Sequence, residues 1–260
     1  MHKWTIAFVI LVTALGASAG LVALGLDDAP PAPLEPISDT ELVFVDEFNG
    51  TSLNTATWST CHWWAQNGCT IASNDELEWY LPNQVSVQDG RAILKAEPRE
   101  SISPDGTSYE YTSGMLSTGP ATSRSAAKFA FTFGRVEARM KLPVGEGLWP
   151  AFWMLSADTE SRPEVDIVEV YGREPDVARM TILVRNSDGQ DVDVGRDWRS
   201  PTPLIGEWHT FALDWRPGRL EWLVDGTTRW TLDGENVPSS PMYIIANLAI
   251  GGQAGPLGTG

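Results

Sequence analysis

Apolar and polar side chains alternate one by one along nearly every ordered-looking stretch of this chain, and that period of two leaves sheet as the only architecture the sequence can build. Arg135, Glu137, Arg139 and Lys141 interleave with Val136, Ala138, Met140 and Leu142, the pattern of a strand with one wet face and one buried face. No segment carries the three-and-four spacing of a convincing amphipathic helix. Further strands are expected at residues 42–48, 92–97, 148–155, 165–171, 208–215 and 243–248. Residues 220–224 and 227–232 flank Asp225-Gly226, a dipeptide favoured in tight hairpin turns. Many short strands punctuated by Gly, Pro, Asn and Asp, with no repeat of propeller or solenoid length, predict an all-β sandwich or barrel.

The N-terminus reads differently from the body. His2 and Lys3 precede an uncharged stretch over residues 4–26, in which Ala17-Ser18-Ala19 has the small-x-small pattern of a cleavage site. Residues 1–26 are therefore expected to be a signal peptide, or an N-terminal membrane anchor, because the stretch is long enough to span a bilayer of about 30 Å. Residues 27–40, which contain DDAPPAPLEP, read as a stiff Pro-rich linker. Residues 41–260 form the body, which is expected outside the cytoplasm, secreted or held at the cell surface by the N-terminal segment. In that compartment the two cysteines, Cys61 and Cys69, make sense as one short-loop disulfide, with two free thiols as the alternative. The chain stops in GGQAGPLGTG, a turn-like sequence where a sandwich would normally close on a strand, which leaves a C-terminal truncation open as an alternative.

Charge and histidine content narrow the chemistry. With 18 basic and 34 acidic side chains the net charge is −16, the wrong sign for a protein whose affinity comes from phosphate neutralisation. Of the three histidines, His2 lies in the leader-like segment, so only His62 and His209 could serve a site and a three-His zinc centre cannot be built.

The densest chemical signal is Glu164-Val165-Asp166-Ile167-Val168-Glu169, three carboxyls within an otherwise apolar strand. In a regular strand Glu164 and Asp166 share a face while Glu169 points to the other. One extra residue, a β-bulge, would return Glu169 to the face of its neighbours. Glutamates grouped on a concave sheet suit retaining glycoside hydrolysis, in which nucleophile and general acid stand about 5–5.5 Å apart. Crowded like charges also raise the pKa of one member, so that an acid and a carboxylate coexist near neutral pH. The plainer reading is a half-exposed strand with a solvated acidic face.

Just upstream stands GLWPAFWML, residues 147–155. This motif followed by EVDIVE resembles glycoside hydrolase family 16, specifically its laminarinase-like members with the bulged catalytic strand. VFVDEFNG, NDELEWY, TSGM, GRVEARMKLP, WLVDG and NLAIGG follow in the same order over most of the body. The resemblance implies a β-jelly-roll sandwich of two bent antiparallel sheets with a concave substrate cleft, and a catalytic domain over residues 41–260. It implies Glu164 as nucleophile, Glu169 as general acid/base and Asp166 as the group that tunes the nucleophile. Trp149, Trp153, Arg139, Asn74 and Glu76 would contact substrate, with a structural calcium near Glu47 and Gly90 as an option. Carboxyl chemistry itself requires no cofactor. His62, Trp63 and Trp64, between the cysteines, could extend the cleft or serve packing.

The chain departs from the family in three places. Relatives carry a His in a Thr-Leu-His segment where this chain reads TILVR, residues 181–185. Gln253 and Ala254 follow the GG pair where relatives often have Trp, and the last family strand, with an acidic group that would help hold calcium, is missing. The expected activity is hydrolysis of β-1,3 or mixed β-1,3/1,4 glucan by a monomer, independent of nucleic acid and of a membrane unless the N-terminal segment is uncleaved. A silent glucan-binding module and a transglycosylase on the same fold are the alternatives.

Overall fold

The computed structural model describes residues 4–15, 40–62, 69–122, 124–158 and 162–258, and over these the alternation becomes sheet. The strands, in chain order, are β1 (Trp4–Leu15), β2 (Thr40–Asp46), β3 (Glu78–Tyr80), β4 (Val85–Gln88), β5 (Arg91–Ile102), β6 (Ser108–Ser113), β7 (Met115–Ser117) and β8 (Gly134–Lys141). They continue with β9 (Leu148–Ser156), β10 (Glu164–Glu169), β11 (Val177–Arg185), β12 (Asp191–Arg199), β13 (Trp208–Arg216), β14 (Arg219–Val224), β15 (Thr227–Asp233) and β16 (Met242–Ile250). The helical elements among the described residues are short 3-10 turns. Each strand expected from periodicity is present. The β14–β15 hairpin turns on Asp225 and Gly226 at φ 50° and 72°, the left-handed pair that a type I′ turn requires.

The strands form a jelly-roll sandwich of two curled sheets. The larger runs β15-β14-β13-β8-β1-β5-β6-β3, with β2 on β1 and β4 on β5, and the smaller runs β12-β11-β10-β9-β16-β7. Between them lies one core. Val136, Ala138 and Met140 of β8 and Phe211, Leu213 and Trp215 of β13 meet Phe152 and Met154 of β9, Val165 of β10 and Ile244 of β16. Each such side chain, fully withdrawn from water, stabilises the fold by about 1.5–3 kcal/mol.

The smaller sheet is covered on its other face as well. β9 and β16 are buried along their whole length, because Tyr80, Met115, Ala151, Trp153, Leu155, Tyr243 and Ile245 make a second apolar cluster on the side away from the core. The loop bearing Cys61 and Cys69 packs there, and the two are joined as a disulfide, which removes the free-thiol alternative.

One strand was not expected. β1, from the leader-like stretch, lies between β5 and β8, antiparallel to both, and also pairs with β2. Residues 1–3 and 16–39, with the small-x-small site and nearly all of the linker, fall outside the described residues. No helix among the described residues is long and apolar enough to cross a membrane.

Candidate active site

β10 runs between β9 and β11. Glu164 stands opposite Leu155 and Leu183, and Asp166 opposite Trp153 and Thr181, in regular register. Past the register shift, Val168 stands opposite Phe152 and Glu169 opposite Ala151 and Arg179. β10 thus advances three positions while each neighbour advances two. That is the expected bulge. Its consequence is that Ile167 and Val168 both enter the core, each 1% exposed, and Glu169 returns to the face of Glu164 and Asp166. A regular strand would have driven Glu169 among the core side chains.

Crowding and burial act together on the three carboxyls. Burial first, then the Glu169 charge, pushes Glu164 up to about 8, against partial relief from Arg162. Burial pushes Glu169 up to about 7, although the Trp149 N–H and Arg179 both favour its ionised form. Asp166 rises well above the usual carboxyl range through burial and then the charges of Glu169 and Glu164. The two glutamates therefore titrate as a pair. Burial and mutual repulsion hold a proton on the pair toward neutral pH, and one proton shared by the two is the state in which one can donate and the other attack.

Trp149 lies on the same face, one strand over, and donates its indole N–H to Glu169 Oε1 at 2.7 Å. Its ring meets Tyr171 edge-on at 5.4 Å. The Arg179 guanidinium lies 3.9 Å above the Tyr171 ring and pairs with Glu174. Trp153 donates to Asn247 Oδ1 at 2.8 Å, and Asn247 donates to the Tyr80 hydroxyl at 3.0 Å. Both tryptophans are only 6% exposed, so they form the floor of the site, with their N–H groups committed to polar partners. Arg162 is held by Asp193 at 2.7 Å at the Glu164 end.

The remaining expected residues separate into near and far. Asn74 and Glu76 lie beside the end of β16: a Cβ on Gly252 would sit 2.4 Å from the Asn74 carbonyl and 3.2 Å from the Trp149 ring, which explains a glycine there. Glu76 is 7% exposed, and its oxygens accept the Ile71 N–H at 3.1 Å and the Asn74 amide at 3.2 Å, so both side chains serve the local structure. Arg139 is a correction. Its neighbours Ala138 and Met140 face the core, so Arg139 lies on the outer face of the larger sheet, with its guanidinium 4.6 Å over the Trp208 ring, across the sandwich from the carboxyls.

His62 is buried against Tyr80 and Trp153 at ring distances of 5.6 and 6.0 Å. Burial lowers its pKa to about 3, so it acts as a neutral ring. Trp63 and Trp64 lie outside the described residues. The place opposite Glu164, within TILVR, is taken by Leu183, and Gln253 accepts the Tyr171 hydroxyl at 2.8 Å. Glu47 and Gly90 adjoin, a Cβ on Gly90 lying 3.9 Å from the Glu47 carbonyl. Among the described residues no three His, Cys, Asp or Glu converge as a metal-holding group. Sequence reasoning missed Tyr171, Arg179, Asn247 and Arg162, whose only signal was a polar or aromatic residue within a strand or beside the acidic motif.

Residues 64–256 match the sequence profile of glycosyl hydrolases family 16. The chain belongs to that family. Endo-1,3-1,4-beta-glycanase EglC of Rhizobium meliloti (strain 1021) is 35% identical over 227 residues, covering 82% of this chain and 47% of that protein. Glucan endo-1,3-beta-glucosidase of Cryptopygus antarcticus is 32% identical over 231 residues, covering 80% of this chain and 79% of its own. The X-ray structure of endo-beta-1,3-glucanase from Pyrococcus furiosus superposes with a TM-score of 0.72 at 30% identity, covering 82% of this chain and 86% of that one. The chain spans about half the length of EglC, and 35% of glucan endo-1,3-beta-glucosidase A1 of Niallia circulans.

Proposed function

We propose that this chain is a retaining glycoside hydrolase acting on β-1,3 or mixed β-1,3/1,4 glucan by double displacement. The observation that carries the proposal is the bulge that sets half-buried Glu164 and Glu169 on one face with buried Asp166. In the first step Glu169 donates its proton to the glycosidic oxygen while a Glu164 oxygen attacks the anomeric carbon, so the C–O bond to the leaving sugar breaks as the enzyme ester forms. In the second step ionised Glu169 takes a proton from water, and the resulting hydroxyl displaces Glu164 from the opposite face. Two inversions give net retention. Asp166, between the two, holds its own proton and limits the negative charge at the nucleophile.

Glucan as substrate is supported by the names of EglC and the Cryptopygus enzyme. The net charge of −16 also favours a neutral polysaccharide over a sulfated one, which would ask for a basic groove. The Cys61–Cys69 disulfide supports action outside the cytoplasm. Glu164→Gln keeps the shape and removes the nucleophile: hydrolysis of laminarin should fall below detection while laminarin binding persists. Turnover retained in that variant would overturn the assignment.

A further inference from the structure

The Asp166 carbonyl, at the bulge, accepts the indole N–H of Trp222 at 2.9 Å. Trp222 belongs to β14, in the opposite sheet, so this bond reaches the catalytic strand from across the sandwich. The indole is 0% exposed and stacks on Trp230 with ring centroids 4.1 Å apart, which fixes where its N–H points. A bulge disrupts the ladder locally, and a buried carbonyl without a donor is costly. Trp222 supplies that donor. Without it, the competing arrangement of β10 is regular register, which turns Glu169 toward the core.

We infer that Trp222 is a positioning residue for the reaction, its indole N–H pinning the bulge that sets Glu169 beside Glu164. This rests on the reading of those glutamates as acid/base and nucleophile. Trp215 offers a matched control, since it too is 0% exposed and donates its N–H across 2.8 Å to a buried carbonyl, that of Pro238, away from the catalytic strand.

The test compares Trp222→Phe and Trp215→Phe in the full chain, with folded fraction set by circular dichroism and kinetics on laminarin. Both variants should lose melting temperature. Trp222→Phe alone should lose kcat, by about 10- to 100-fold, since a displacement of about 1 Å can cost roughly 100-fold, with KM within about twofold of the parent. A kcat within twofold of the parent in Trp222→Phe, or an equal loss in Trp215→Phe, would overturn the inference. Should Trp222→Phe fail to fold, Trp230→Leu carries the test by loosening the stack from the neighbouring strand. A several-fold kcat loss at constant KM is then expected, and an unchanged kcat refutes the role. Laminarin hydrolysis by the parent and its loss in Glu164→Gln test the function separately, so the two ideas fail by different results.

Discussion

Replacing Trp149 by Phe isolates the hydrogen bond that most directly touches the proposed acid/base. The indole N–H sits 2.7 Å from Glu169 Oε1, and a hydrogen bond to a charged group contributes about 1.5–3 kcal/mol. Because the donor stabilises the ionised carboxylate, its loss raises the pKa of Glu169. At 1.36 kcal/mol per unit, the rise is about one to two units above the present value of about 7. The Phe ring still packs beside Tyr171, so the change is chiefly polar. The alkaline limb of kcat/KM on laminarin, which reports loss of the last proton from the Glu164–Glu169 pair, should therefore move to higher pH. At pH 6 kcat should fall, because the ionised base needed for the second step becomes scarcer. A pH–rate profile from reducing-end release, measured alongside the parent, decides the matter. An alkaline limb that stays in place or moves to lower pH would refute the claim that this N–H tunes Glu169.

Two further outcomes follow from the buried carboxyls. In the parent, kcat/KM should be a narrow bell with limbs near the values of Glu169 and Glu164, about 7 and about 8, and an optimum near pH 4 or 5 would contradict the shared-proton pair. Glu78 is 0% exposed, and burial together with the neighbouring Glu76 charge holds its carboxyl protonated well above the usual range. The folded state then keeps a proton that the unfolded chain releases above about pH 4.5, so stability falls as pH rises from there until Glu78 itself ionises. Glu78→Gln mimics the protonated form. Its melting temperature should match the parent near pH 4.5 and exceed it progressively at higher pH, whereas parallel curves would show that Glu78 is ionised in the fold.

The strands and the acidic motif were legible because each is a local pattern. Period two marks β8 wherever it lies in the sheet, and three carboxyls in an apolar run signal a site before any partner is known. Even the bulge could be anticipated, since only an extra residue places Glu169 with Glu164 and Asp166. Contacts across strands and across the core were not legible. Arg139 alternates correctly, but alternation says which residues share a face and not which face borders the site. Trp149 and Trp153 read as aromatic walls, while their N–H groups turn out to hold Glu169 and Asn247. The role of Trp222 depends on a residue 56 positions away in sequence. β1 escaped notice because an uncharged run rich in β-branched residues fits a strand as well as a leader.

The most direct test of the central claim is the anomeric configuration of the first product. Laminarin is incubated with the full chain in a proton NMR tube, and the new reducing-end signals are followed from the first minute, before mutarotation equilibrates them. Double displacement through Glu164 predicts that the β-anomer appears first and the α-anomer grows in later. Initial release of the α-anomer would mean that water attacks directly, and the assignment of Glu164 as a nucleophile would be wrong.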